Sequence, residues 1–282
     1  MRLLRVGPRG QERPAAFDQD DVLRDLSPVV SDVNGSLLGD LLALHRVRLA
    51  LTTRRLPVVP VGTRIGAPLA RPGKIVGIGL NYHDYALALG TEVPAQPVVF
   101  FKPSSTVVGP FDQIEVPEGS TATDYEVELG VVLGRHLRGC RDVREALRAV
   151  GAYVAVNDVT ERDFASEGPT WAKGKCCDTF TPVGPWLVTP DDVPDPQSLG
   201  LRLSVNGQVR QSGSTGAMAF EVADLLCYLS NLMTLEPGDL VLTGTPAGVA
   251  ASMPEPRPYL RHGDVVELEV SGLGLQRTTV RA

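Results

Sequence analysis

Glu126 and Glu128 stand one residue apart in the stretch Asp124-Tyr125-Glu126-Val127-Glu128-Leu129-Gly130-Val131-Val132-Leu133-Gly134. Alternate side chains of a β-strand share a face, so the two carboxylates converge while Val127 and Leu129 face the other way. Two buried carboxylates side by side repel, and a cation is needed to hold both charged. A second apolar run, Ala152-Tyr153-Val154-Ala155-Val156, predicts another buried strand and ends in Asn157-Asp158. That sets a third carboxylate at a strand terminus. Three acids with no local histidine or cysteine suit Mg2+, with Mn2+ or Ca2+ as alternatives, better than zinc or copper. A solvated strand face also carries such i, i+2 acid pairs; the apolar flanks here favour burial.

Lysine is scarce. Lys74, Lys102, Lys173 and Lys175 are the only four among 27 Lys and Arg residues, and where arginine serves nearly everywhere a retained lysine points to an ammonium with a movable pKa. The cysteines Cys140, Cys176, Cys177 and Cys227 lack the spacing of a zinc knuckle and are expected to be reduced core residues.

The elements that must position these groups are legible in outline. Residues 1–70 form a compositional unit with a helix predicted from Gly39-Asp40-Leu41-Leu42-Ala43-Leu44, closed by a connector carrying Pro57, Pro60, Pro68 and Pro72; residues 71–282 form the second unit. Lys74-Ile75-Val76-Gly77-Ile78-Gly79 predicts a strand leading into a short helical stretch at Leu80-Asn81-Tyr82-His83-Asp84-Tyr85. Asp142-Val143-Arg144-Glu145 resembles a capping box that opens a helix closing at Gly151. Asn206-Gly207 marks a hairpin. Val222, Leu225, Leu226, Leu229 and Met233 fall on one helical face in a pattern ending at Pro237-Gly238. Strands are predicted again at Leu240-Val241-Leu242 and Val265–Val270. Strands outnumber helices without alternating with them, which argues against a doubly wound fold.

The formal net charge of -6, with no basic stripe interleaved with aromatics, argues against a nucleic-acid partner. Met1–Pro8 is not followed by a long apolar region, and runs such as Val98-Val99-Phe100-Phe101 are too short to cross a bilayer. A cytoplasmic enzyme with no membrane partner is the expectation. Gly77-Ile78-Gly79 and Gly174-Lys175 are weak nucleotide lookalikes, because Tyr82 replaces the third glycine and Cys176 replaces the Ser or Thr of a phosphate loop.

Taken in order, Gly77-Ile78-Gly79-Leu80-Asn81-Tyr82, Phe101-Lys102-Pro103, Asp124–Gly130, Asn157-Asp158-Val159-Thr160-Glu161-Arg162-Asp163, Gly174-Lys175-Cys176-Cys177-Asp178-Thr179-Phe180 and Thr243-Gly244-Thr245-Pro246 resemble the fumarylacetoacetate hydrolase superfamily. The match spans nearly all of the chain after residue 74, and Leu3–Pro14 further resembles the branch that hydrolyses 2,4-diketo-3-deoxy sugar acids. The resemblance implies an α+β, predominantly β fold: a mixed β-sandwich roll with peripheral helices, preceded by a small N-terminal domain, in a homodimer. It implies metal-dependent cleavage of a carbon–carbon bond in an acylpyruvate-like or 2,4-diketo acid through a metal-stabilised enolate. By the same resemblance Glu126, Glu128 and Asp158 are the metal ligands and Lys175 the active-site lysine. Gly244 and Thr245 then grip the substrate carboxylate, and Tyr82, Lys102 and Arg162 contribute to the substrate site, Arg162 and Asp163 alternatively forming a structural ion pair.

The pattern breaks at the water-activating base. Hydrolytic members carry a histidine and a glutamate three residues apart in a lid helix, where this chain has Tyr85 and Ala88; Ala165 replaces a glutamine. His83 is a candidate base only if the lid backbone is not helical there, and otherwise an exposed histidine. Loss of the base leaves non-hydrolytic enolate chemistry on a 2-keto acid open: decarboxylation, tautomerisation or isomerisation, dehydration or cyclisation.

Overall fold

The computed structural model describes residues 1–53 and 56–282. The first third holds β1 (Arg2–Val6), β2 (Arg13–Phe17), β3 (Leu23–Asp25), α1 (Gly35–Gly39), α2 (Leu41–Thr53), β4 (Ile75–Gly79), α3 (His83–Ala88) and β5 (Val98–Lys102). The middle holds β6 (Val107–Val108), β7 (Ile114–Glu115), β8 (Thr123–Asp124), β9 (Val127–Leu133), α4 (Val143–Arg148), β10 (Val150–Asn157), β11 (Thr160–Glu161), α5 (Arg162–Ser166) and α6 (Ala172–Lys175). The rest holds β12 (Thr181–Pro182), β13 (Leu187–Val188), β14 (Gly200–Val205), β15 (Gln208–Ser214), α7 (Val222–Leu232), β16 (Leu240–Leu242), β17 (Val265–Val270) and β18 (Gly274–Arg281).

Nine strands form one sheet in the order β3-β2-β1-β13-β10-β9-β16-β4-β5, and five form a second in the order β15-β14-β17-β18-β7. Every residue of β9 and β10 is buried, as their unbroken apolar runs require when both faces of a strand are covered. Val127, Leu129, Val131 and Leu133 join a core with Leu225, Leu226 and Leu229 of α7 and with Leu203 and Leu268 of the second sheet. Val132, Val154 and Val156 join another core with Leu37, Leu38 and Val47 of the first two helices. The mostly-β, α+β class expected from the sequence is the class observed.

Several local expectations hold. Asp142 caps α4 by accepting from Arg144 N. Asn206 and Gly207, with φ of 52° and 76°, link β14 to β15 in the left-handed geometry of a two-residue hairpin. Others are corrected. The chain after α4 enters β10 at Val150 rather than closing a helix at Gly151, because Gly151 lies against Gly134; a Cβ on Gly151 would sit 2.8 Å from Gly134 Cα. Helix α7 stops at Leu232, not near Pro237, because Leu235 exchanges backbone hydrogen bonds with Leu137 and pulls the chain into extended form. The N-terminal segment supplies three unforeseen strands, and β1 pairs with β13 in the large sheet. Cys140 is buried, with its Sγ 3.4 Å from that of Cys227, but Cys176 is exposed rather than a core residue. Among the described residues no helix is long and apolar enough to cross a membrane.

Candidate metal centre

Antiparallel pairing of β9 with β10 aligns Glu128 with Val156 and Val127 with Asn157, so the start of one strand lies beside the end of the other. Asp158 N donates to the Glu126 carbonyl at 2.9 Å, and Glu126 N donates to Asn157 Oδ1 at 3.0 Å. The three acids are thereby carried to one place. Glu126 precedes the regular strand instead of lying within it, yet one carboxylate oxygen from each of Glu126, Glu128 and Asp158 comes within 4.8 Å of the others, all three buried.

Basic side chains brace the acids from the sides. Lys175 Nζ donates to Glu126 Oε2 at 2.9 Å and Asp158 Oδ2 at 2.5 Å. Lys102 Nζ donates to Asp158 Oδ1 at 2.5 Å and to the carbonyls of Val159 and Phe180. Arg162 reaches Glu126 Oε1 at 2.5 Å and Asp124 Oδ2 at 2.9 Å. Asp124 is in turn fixed by the backbone N–H groups of Ala250 and Ala251.

The acids do not share this support equally. Burial opposes ionisation of Asp158, but the charges of Lys102 and Lys175 hold its carboxyl below the ordinary range. For Glu128, burial and then the charges of Asp158 and Glu126 push the carboxyl well above its ordinary value, against the weaker pull of Lys175 and of the Gly244 N–H. Burial lowers the Lys102 ammonium, while Asp158 and Glu126 outweigh burial and raise Lys175. One carboxylate in the trio therefore lacks a matching positive charge, and an all-oxygen donor set of this kind suits a divalent, oxygen-preferring ion.

Glu126 and Glu128 face a cavity of about 320 Å³, with Asp158 fully buried beside them outside its lining; the lining also includes Arg162, Lys175, Thr245, Phe100 and Trp171. Lys102 and Tyr82 are not in that lining. Lys102 lies behind Asp158 and is a positioning residue; Tyr82 is wholly buried, its hydroxyl without a protein partner. Arg162 pairs with Asp124 and Glu126 rather than with Asp163, which accepts from Thr121. Gly244 directs its N–H onto Glu128 Oε2 at 2.7 Å, and Thr245 donates its hydroxyl to the Val127 carbonyl; both donors expected for a substrate carboxylate thus serve the scaffold. Gly244 has φ of 92°, and a Cβ there would lie 2.8 Å from Asn81 Cβ, so only glycine fits the turn.

His83 is not brought to the centre. It is the first residue of α3 and exposed, and Tyr85 is the α3 residue that lines the cavity beside Leu89, just past its end. Ala165 also lines the cavity, whereas Ala88 is exposed.

The Fumarylacetoacetate (FAA) hydrolase C-terminal family model matches residues 74–281. The chain belongs to the fumarylacetoacetate hydrolase family. A Burkholderia multivorans protein, whose name says only that it is taken for a hydrolase, is 51% identical over 285 residues, covering 100% of this chain and 99% of its own. Among solved structures, fumarylacetoacetate hydrolase from Exiguobacterium antarcticum is 34% identical with a TM-score of 0.86, covering 100% of this chain and 99% of that one. Maleylpyruvate hydrolase from Sphingobium sp. SYK-6, solved with manganese(II) and pyruvate, is 27% identical with a TM-score of 0.81 over 100% and 99% of the two chains. A 2-hydroxyhepta-2,4-diene-1,7-dioate isomerase from Mycobacterium marinum is 32% identical with a TM-score of 0.77, over 100% and 98%. The family thus includes both hydrolases and isomerases among this chain's neighbours.

Sequence reasoning missed the supports of this family site. Gln211 of β15 is fully buried; its Oε1 accepts from Val127 N at 2.9 Å and its Nε2 donates to Thr245 Oγ1 at 2.7 Å, tying the second sheet to the start of β9. No local signal marks a glutamine 84 residues away. Asp124 was within reach, since it heads the very stretch that carries Glu126 and Glu128 and precedes a predicted strand.

Proposed function

We propose that this enzyme hydrolyses a carbon–carbon bond in an acylpyruvate-like or 2,4-diketo acid with the help of a divalent cation held by Glu126, Glu128 and Asp158. The observation that carries the reading is the buried trio with one uncompensated carboxylate at the end of a cavity. An all-oxygen donor set fits Mg2+ or Mn2+, and Ca2+ with looser geometry. Such an ion, when bound, supplies Lewis-acid polarisation of a keto oxygen. Lys175, buried beside Glu126 and Asp158, adds a charged donor that would stabilise negative charge building on a substrate oxygen. Arg162 holds Glu126 in place from the side of Asp124, and Lys102 does the same for Asp158. The manganese and pyruvate found in the Sphingobium maleylpyruvate hydrolase support the same class of ligand.

A second reading rests on a specific observation. Of the two positions where a base is expected, only that of Tyr85 lines the cavity among the described residues, and Ala165 lines it where a glutamine is expected. Burial pushes the Tyr85 hydroxyl up to about 12, so it stays protonated near neutral pH and cannot accept a proton from water. Enolate chemistry without attack by water, such as isomerisation, fits that lining. Turnover in 18O-labelled water separates the two: one labelled oxygen in the new carboxylate supports hydrolysis, and an unlabelled rearranged product supports the second reading. Failure of any 2-keto or 2,4-diketo acid to react with Mn2+ present contradicts both.

A further inference from the structure

The cavity has two unlike ends. At its inner end the connected charges are four buried carboxylates, Asp124, Glu126, Glu128 and Asp158, against three cations, Lys102, Arg162 and Lys175. A divalent ion turns the resulting single negative charge into a single positive one. One substrate carboxylate then neutralises the cluster and a second does not.

Among the described residues the outer part of the cavity offers a second anion no cation of its own. The apolar walls of the cavity include Ile78, Leu80, Leu89, Phe100, Trp171 and Ala251, of which Leu89 and Trp171 are open to solvent. Three of the lining hydroxyls are already engaged: Ser166 donates to the Asp163 carbonyl at 2.7 Å, Thr160 to the Asp158 carbonyl at 3.1 Å, and Thr245 to the Val127 carbonyl at 2.9 Å. The fourth, that of Tyr85, stands toward Arg162, Glu126 and Lys175, on the charged side of the cavity. Both cations in the described lining, Arg162 and Lys175, are held by the inner acids. A carboxylate or a chain of hydroxyls placed here would lose its water without gaining partners.

The aromatic wall is itself built for close packing. Phe100 and Trp171 meet edge to face with ring centroids 5.8 Å apart. They rest directly on β4, where a Cβ on Gly77 would sit 2.1 Å from Phe100 Cζ and one on Gly79 would sit 2.3 Å from Trp171 Cζ3. The two glycines therefore make room for the rings, and Phe100 also lies under the Lys175 ammonium at 4.7 Å, joining the apolar wall to the charged end.

Resting on the reading of the trio as a keto-acid site, we propose that the outer end is a subsite for an uncharged hydrocarbon tail, so that the substrate is a monoanionic keto acid with an apolar alkyl or aryl group. This departs from the polyhydroxylated sugar acids that the N-terminal resemblance implies, and from the dioate in the name of the Mycobacterium marinum isomerase.

The test is calorimetric binding of 2-ketohexanoate, phenylpyruvate and 2-ketoglutarate to the Mn2+-loaded protein, followed by turnover of 2,4-diketo acids with matching tails. The two apolar acids are expected to bind at least about tenfold more tightly than 2-ketoglutarate. Trp171→Ala should reduce that preference several-fold while leaving Mn2+ and pyruvate binding unchanged, and Leu89→Arg, at a half-exposed position on the cavity rim, should shift it toward 2-ketoglutarate. Equal or tighter binding of 2-ketoglutarate, or an unchanged preference in both variants, overturns the subsite. Tail preference in binding without turnover of any diketo acid keeps the subsite and removes the proposed reaction; turnover without tail preference does the reverse. If Mn2+ binds but no keto acid does, both fall.

Discussion

At the inner end of the cavity each charged group is fixed by chain segments distant in sequence: Asp158 by Lys102, Glu128 by the Gly244 N–H, and Thr245 by Gln211 of the other sheet. At the rim, α3, α5 and α6 run for only four to six residues, and Leu89 and Trp171 are partly open to solvent. The acids lie at or beside the most deeply buried strands, and α5 and α6 are tied to them through Arg162 and Lys175; Leu89 and Trp171, the solvent-open residues, flank the short helices α3 and α6. On the proposed reading, binding of the ion and selection of the tail fall to different parts of the cavity, so they should respond separately to mutation.

The largest expected separation is at Lys175. Lys175→Met should lower kcat about 100- to 1000-fold, the loss usual for one positioned donor to a developing oxyanion, while Mn2+ affinity is held or tightened because a competing cation leaves Glu126 and Asp158. Equal losses in kcat and in Mn2+ affinity would make Lys175 a scaffold residue. Lys102→Met should act on the scaffold instead. It removes one of two cations from a buried carboxylate and should cost roughly 3–5 kcal/mol in denaturant unfolding of the metal-free protein, with added Mn2+ recovering part of the loss; an unchanged unfolding midpoint refutes the bracing role.

A smaller effect is expected from pH. Burial, with the Asp158 and Glu126 charges, raises Glu128 well above its ordinary value in the metal-free fold. The folded state then keeps a proton that the unfolded chain, with a pKa of about 4.3, has released. Stability from this group is full below that value and is lost as pH rises through the folded pKa. The ion must displace the proton, so Mn2+ affinity should fall up to about tenfold per unit as pH drops below the folded pKa, with proton release seen by calorimetry in buffers of different ionisation enthalpy. Affinity independent of pH, with no proton released, contradicts the raised carboxyl. The smallest effect is at the rim: His83→Ala should leave kcat within about twofold across neutral pH, since the side chain is exposed outside the cavity. A larger loss would restore it as a base.

The same division governs how much could be read from the chain. Glu128 and Asp158 were legible because apolar runs that mark buried strands are local signals, as was the hairpin at Asn206-Gly207. Glu126 falls just before its strand and reaches them through its hydrogen bonds to Asn157 and Asp158, not through strand alternation. The strands of residues 2–25 and the early stop of α7 were not, because β1 pairs with β13 and Leu235 with Leu137 only once the sheet has formed. Tyr82 and Lys102 sit in motif segments that carry the family resemblance, but the motif does not tell contact with substrate from burial behind a ligand. Gly244 and Thr245 were placed correctly beside the site, yet their donors turn inward to Glu128 and Val127. The apolar rim was illegible for a different reason: its residues come from β4, β5, the residue just after α3 and the one just before α6, and none is unusual in its own segment.

Titration of Mn2+ into the metal-free wild-type protein and into Glu126→Gln, Glu128→Gln and Asp158→Asn tests the central claim most directly. One ion per chain in the wild type, with affinity weakened at least about 100-fold in each variant while circular dichroism shows the fold retained, is the predicted result. Wild-type affinity in any one of the three variants would show that the acids do not share an ion.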